Sequence, residues 1–207
     1  MFSYIRTKFN FHANNLYCWL LRKKNKNKNF SIISNNCWGG GVYEDLGIKY
    51  FTPTIGLFFF APCYIKFIKD LKLYLSSELQ FKNKSKYLSD ADLSYPIGVL
   101  RDIEIHFLHY GSEKEAKEKW DDRKKRINFD NLFISFSDRD LCTLELALEF
   151  DSLSYKNKVF FSAKNIPEIR SIVHLKDFKN QKCIGDIYTL RWSYRKAFNI
   201  LTWLNSN

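Results

Sequence analysis

Phe30-Ser31-Ile32-Ile33-Ser34-Asn35-Asn36-Cys37-Trp38-Gly39-Gly40-Gly41 is the stretch on which the fold turns. Its first five residues are rich in β-branched side chains and stop at an Asn-Asn pair, the pattern of a short buried strand. The glycine run that follows reads as a loop at the strand's carboxyl end. Downstream, apolar residues recur at alternating periods. Pro62 at a first turn, with Ile65, Ile68, Leu71, Leu75 and Leu79 inward, predicts a helix over 62–79. Strands follow at 97–100 and 103–108. Ser112 and Glu115 stand at capping-box spacing and open a charged helix to about residue 126. A strand at 132–136, a helix at 143–150, a strand at 158–162 and a helix at 191–204 complete the series. Strands alternating with helices predict an α/β domain: a mostly parallel sheet flanked by helices, a Rossmann-like three-layer sandwich.

Upstream, residues 3–24 repeat near helical period, with Ile5, Phe9, Leu16, Trp19 and Leu20 forming one stripe. Asn25-Lys26-Asn27-Lys28-Asn29 reads as a linker. The expected organisation is a basic amphipathic helix and linker over 1–29, appended to a single α/β domain over 30–207. Docking onto the domain is the ordinary fate of such a helix. Peripheral contact with an anionic membrane through residues 3–24 is the other, although Asn and His interrupt the stripe.

Of 207 residues, 45% are hydrophobic and 17% aromatic, enough for a real core and against general disorder. The net charge is +11, and residues 1–29 supply seven cations with no Asp or Glu. A basic excess suits a nucleotide, a CoA-like cofactor, nucleic acid or an anionic membrane. The abundance of Lys, Asn and Ile also has a plainer origin in an AT-rich genome. Nucleic acid is disfavoured as a partner, because the charge collects at one end and aromatics are not interleaved with it. Cys18, Cys37, Cys63, Cys142 and Cys183 are scattered, which argues against structural zinc and against a disulfide framework. A reducing, cytoplasmic location is expected, at the inner face of the membrane if the basic helix docks there. No signal peptide is evident. The uncharged run 50–65 is too short to span a bilayer and contains Pro53 and Pro62, so it reads as core.

Three stretches carry a family resemblance. They are Ile32 to Gly40; Thr52-Pro53-Thr54-Ile55-Gly56-Leu57-Phe58; and Tyr95-Pro96-Ile97-Gly98 with Asp102 to Tyr110, continuing into Lys119-Trp120, Arg123 and Arg126-Ile127-Asn128. Across about residues 30–205 these blocks resemble, in order, the bacterial exopolysaccharide-biosynthesis proteins grouped as domain of unknown function 1919. Asp121-Asp122 departs from the more basic stretch expected ahead of Arg123. The resemblance implies a part in making capsular or other surface polysaccharide and supplies no mechanism.

Candidate chemistry lies at three places. In the first loop, Asn35 and Asn36 offer amide donors, the Gly39 and Gly40 backbone can approach a phosphate or oxyanion, and Cys37 offers a thiol. The same residues are also ordinary turn formers, with Cys37 a small buried side chain. In the strand Asp102–Tyr110, alternation puts Asp102, Glu104 and His106 on one face, where a carboxylate can orient an imidazole as general base. A solvated antiparallel edge gives the same pattern. His109 falls on the apolar face as a core histidine. On the charged helix, Arg123 and Arg126 stand one turn apart and could grip a phosphate, or simply face solvent. Asp138-Arg139-Asp140 follows a strand, with Asp138 as a polar site residue, and an Asp-x-Asp there can also hold a divalent ion.

These readings converge on a transferase acting on a glycan or its precursor, most concretely an O-acyltransferase. Acyl-CoA would be the donor and His106 the base. One alternative is a nucleotide-sugar glycosyltransferase using Asp138 and Asp140. Another is a non-catalytic partner in polysaccharide assembly.

Overall fold

The computed structural model describes residues 2–89 and 93–206, with side chains from residue 12 onward. Ile5 and Phe9 of the expected stripe therefore have side chains outside the described residues. In chain order the elements are α1 (Phe2–Lys24), β1 (Ser31–Ser34), α2 (Trp38–Leu46), α3 (Ala61–Lys69), α4 (Leu71–Ser76), β2 (Gln80–Lys82), β3 (Ile97–Leu100) and β4 (Ile103–His106). Then come α5 (Glu113–Lys124), β5 (Leu132–Ser137), α6 (Leu144–Ser152), β6 (Asn157–Ser162), β7 (Ile172–His174), α7 (Arg191–Arg195) and α8 (Ile200–Leu204).

The fold is mixed α/β, with two sheets among the described residues. One is four-stranded and wholly parallel, in the order β1-β5-β6-β7. The other is three-stranded and antiparallel, β2-β3-β4. The expectation of one mostly parallel sheet is thus corrected, since the strands at 97–100 and 103–106 form a separate antiparallel sheet with β2. Only Arg101 and Asp102 separate β3 from β4, and a two-residue turn can join only antiparallel strands. Arg101 takes the left-handed conformation this turn requires, at φ 55°.

Alternation along the parallel strands sends side chains to two cores. Ile33, Ile134, Phe136 and Phe160 join a core with α3, α6 and the second sheet. Ile32, Phe133, Val159 and Phe161 join another with α2 and the C-terminal segment. Two expected helices are broken. The 62–79 helix divides at Asp70, whose φ of −133° is not helical and whose Oδ1 accepts Leu73 N at 3.4 Å to cap α4. The 191–204 helix divides before Asn199, whose Oδ1 accepts Thr202 N at 3.1 Å. Ser112 caps α5 as its spacing predicts, accepting Glu115 N at 3.2 Å.

The stripe expected on α1 is also corrected. Leu16, Trp19 and Leu20 point outward, and Asn14, Tyr17, Cys18, Leu21 and Arg22 make the contacts. They meet a buried ionic cluster around Asp45 of α2, where Arg195 Nη2 donates at 2.6 Å and Arg191 Nη1 also donates. Cys18 Sγ lies 3.5 Å from Asp45 Oδ1, Arg22 Nε donates to Asp45 O at 2.9 Å, and Arg195 stands 4.0 Å over the Tyr17 ring.

Candidate functional site

β1 and β5 lie side by side, but their exits diverge. β1 feeds α2, which packs into one core, and β5 feeds α6, which packs into the other. Diverging exits open a crevice beyond the carboxyl ends, where open α/β sheets bind ligands. Asn35 and Asn36 leave β1 at this point, and Ser137 ends β5. Asn35 Nδ2 and Asn36 Nδ2 both donate to Ser137 Oγ, at 3.2 and 3.1 Å. Asn35 is buried and held by that contact, while Asn36 stays partly open. Its Oδ1 accepts Trp38 N at 3.0 Å, an Asx turn that leads the chain into α2.

The glycines expected in a loop form that first turn. A Cβ on Gly39 would sit 3.0 Å from Ser34 Cβ and 3.1 Å from Ile32 Cγ2, so glycine lets α2 lie against β1. Gly40 borders the crevice, and Gly41 fits beneath the Tyr188 ring. Cys37 is half-buried beside them. Burial, then the Asp186 and Glu44 carboxylates, push its thiol up to about 11 against the opposing pull of Arg139. It is protonated at neutral pH, so the geometry gives no activated nucleophile at Cys37.

The segment after α2 joins the two sheets. Phe59 N donates to Asn35 O at 2.9 Å, and Phe58 pairs with His106 in an isolated antiparallel bridge. This brings the Asn-Gly bend next to the end of β4, but not in the expected way. Asp102 stands in the hairpin turn, exposed, bound by Lys66 Nζ at 2.6 Å and Tyr74 OH at 2.8 Å, which hold its carboxyl below the usual range. Glu104 is buried and takes Lys82 Nζ, Ser85 Oγ at 2.8 Å and Lys86 N at 2.8 Å. Burial acts to raise its pKa, and these donors outweigh it. His106 is fully buried, stacked on Phe58 at 4.7 Å and edge-on to Phe60 at 5.1 Å. Its Nε2 lies 3.5 Å from Glu104 Oε2, and burial holds its pKa below the ordinary value.

The expected open face of Asp102, Glu104 and His106 is therefore corrected. The 82–87 segment folds over it, and Asp102 belongs to a different network. His106 lines neither lobe of the cleft described next. His109 does. β4 ends at His106, the chain turns, and His109 N is held by Gly56 O at 3.0 Å with its side chain exposed. Alternation read through this turn put His109 on the wrong side.

The cleft has two lobes, of about 310 and 330 Å³, that share Cys37, His109 and Tyr188. The first adds Tyr50, Tyr110, Glu44, Glu115, Lys119 and Arg123. The second adds Asn36, Phe58, Arg139, Asp140 and Asp186. Arg123 Nη1 donates to Tyr110 OH at 2.6 Å and its guanidinium stands 5.3 Å from the Tyr50 ring centre. Arg126 faces elsewhere, bound to Asp122 and 3.4 Å from Tyr50 O, so the two arginines do not form a joint clamp. Asp138 is likewise turned away. It accepts Ala163 N at 2.7 Å, Ser162 Oγ at 3.0 Å and Ile184 N at 2.8 Å, tying strand ends to the C-terminal segment. Burial raises its pKa in spite of those donors.

Arg139 and Asp140 are different. Both line the second lobe, and among the described residues neither side chain makes a hydrogen bond or ion pair with the protein. Burial raises the Asp140 pKa, with Arg139 opposing. Asp140 and Leu141 are consecutive left-handed residues, at φ 55° and 67°, pinned where Asp140 O accepts Ala61 N at 2.8 Å. A bulky leucine there carries backbone strain of the sort found at ligand sites. No group of three or more potential metal-ligating His, Cys, Asp or Glu residues occurs among the described residues.

Fold and cleft together define a mixed α/β domain with a two-lobed cleft beyond the carboxyl ends of β1 and β5. The chain belongs to the family described as a domain of unknown function, DUF1919, whose pattern matches residues 8–205. That match begins within α1, earlier than the 30–205 read from the sequence blocks. The chain is also similar to an uncharacterized protein of Haemophilus influenzae, 36% identical over 189 residues, covering 89% of this chain and 88% of that one.

Proposed function

We propose that this protein is a transferase of surface-polysaccharide biosynthesis, moving an acyl group onto a glycan or glycan precursor in the two-lobed cleft. The carrying observation is that both lobes meet at His109, the layout needed to bring donor and acceptor to one proton-transferring group. The first lobe suits a sugar: the Tyr50, Tyr110 and Tyr188 rings offer flat apolar faces, and Glu44, Glu115 and Lys119 offer partners for hydroxyls. The second suits the donor, with Arg139 toward a phosphate of acyl-CoA and the Asn36 amide at the α2 N-terminus toward developing negative charge.

On this reading His109 accepts the sugar hydroxyl proton as oxygen attacks the thioester carbonyl, and returns it to the departing thiol. Asp140 stabilises the charged imidazole across the same lobe. The parallel sheet acts as a reduced Rossmann-like platform, with the β1–β5 boundary as its crevice. The pathway comes from the resemblance of the signature blocks to exopolysaccharide-biosynthesis proteins. A cytoplasmic site of action fits a CoA donor.

A nucleotide-sugar donor is the second reading, favoured by the cation-aromatic pairing of Arg123 with Tyr50. Its metal-binding version loses the Asp138–Asp140 pair, because Asp138 is occupied by three protein donors. The test is transfer from acetyl-CoA to oligosaccharide acceptors, alongside thermal shift with UDP- and GDP-sugars. His109→Ala is expected to cut kcat by about 100-fold or more, while His106→Phe leaves kcat per folded molecule near wild type. Stabilisation by nucleotide-sugars alone selects the second reading. Full activity in His109→Ala overturns the mechanism.

A further inference from the structure

The face of α1 that turns away from the domain is unaccounted for by the cleft. Leu16, Trp19 and Leu20 are 59%, 54% and 37% exposed. Spaced three and four apart, they are neighbours on one outward strip. Lys23 and Lys24 continue that strip by one turn, and Lys26 and Lys28 follow, all exposed. Trp192 of α7, 37% exposed, sits edge-on to Tyr17 at 5.9 Å and widens the apolar surface. Beside it runs a groove of about 500 Å³, with Leu20 and Phe198 in its wall and Lys24 and Lys196 among its lining.

We propose that this surface docks the protein on an anionic lipid bilayer, with Trp19, Leu16 and Leu20 entering the headgroup boundary and the lysines meeting lipid phosphates. Two features of the partner follow from the residues. It must accept indole and leucyl side chains, and it must be negatively charged, since residues 1–29 carry seven cations and no acid. A second copy of the chain meets the first condition and fails the second, because it would set the same cations against each other. No helix among the described residues is long and apolar enough to cross a membrane, so the helix would lie in the surface plane. α1 is held for this on its other face by the Asp45 cluster, which fixes the outward strip in place.

The inference does not rest on the transferase reading. It is tested with the full chain by co-sedimentation with vesicles of phosphatidylcholine alone or mixed with phosphatidylglycerol. Binding is expected about tenfold or more tighter to the mixed vesicles and weakened by salt. It should fall about tenfold or more in a triple Leu16→Ser, Trp19→Ser, Leu20→Ser variant and in Lys23→Glu with Lys24→Glu. Melting temperature controls for folding, as none of these side chains is in the core. Equal binding to both vesicle types, or none to either, overturns the proposal. So does a wild-type dimer in solution that the triple variant converts to monomer.

Discussion

Asp45 gathers two guanidinium groups where water is excluded. Arg195 and Asp45 are almost wholly buried, so removing the carboxylate leaves a charge with no solvent to receive it. Asp45→Ala is expected to destabilise by about 3–5 kcal/mol in chemical denaturation. His106 sets a pH dependence of its own. Burial lowers its folded pKa, so only the unfolded chain binds a proton between the ordinary histidine value of about 6.5 and the lower folded value. This contribution to stability is complete above about pH 6.5 and is lost as pH falls through that window. His106→Phe, which can keep the stack on Phe58, should flatten that part of the stability profile measured by urea titration at a series of pH values. At this scale the sequence was half legible. Asn36, Arg139 and Asp140 line the cleft, whereas Asp138, singled out in the same triplet, is turned away to hold strand ends. His109 was misplaced because alternation does not survive the turn after β4, and His106 because the 82–87 segment and Phe58 cover its face.

Among the elements, α2 is the most constrained. Gly39 and Gly40 are adjacent in its first turn, yet their surroundings differ. An added methyl at Gly39 meets two strand side chains at 3.0 and 3.1 Å, whereas at Gly40 the nearest atom is Ile55 Cδ1 at 3.4 Å. Gly39→Ala is expected to lose about 1–3 kcal/mol to overpacking, in excess of any gain in helix propensity. Gly40→Ala should be neutral or gain up to about 1 kcal/mol, because alanine favours the helix and Ile55 can move. Paired thermal melts decide the matter. By sequence the glycine run reads as a loop, since glycines are ordinary turn formers. What overrides propensity here is the distance between helix and strand, a tertiary quantity. The hairpin β3–β4 was available to the sequence, since its two-residue gap forbids a crossover. The breaks at Asp70 and before Asn199 rest on caps that compete with continued helix and leave only a weak local signal.

Over the whole molecule, the N-terminal helix is a working part of the domain. Leu21 enters the core with Phe30 and Tyr43, and Arg22 binds the end of α2. Deleting residues 1–24 should cost about 3–6 kcal/mol, from lost apolar burial and from weakening the surroundings of Asp45, read as a shifted denaturation midpoint. The alternation of helix and strand made the α/β class legible, and the buried strand 30–34 located the parallel sheet. The division into two sheets was less so, because short strands look alike until their partners are known. The parallel ladder carries a final consequence for biosynthesis. Among the described residues β1 finds its only strand partner in β5, about a hundred residues later in the chain. At roughly 5–20 residues per second, the ribosome leaves that aliphatic edge unpaired for roughly 5–20 s. A nascent chain with so late a suture is a natural client for chaperones, and heterologous yield should rise with added holdase more than with changes in the mature surface.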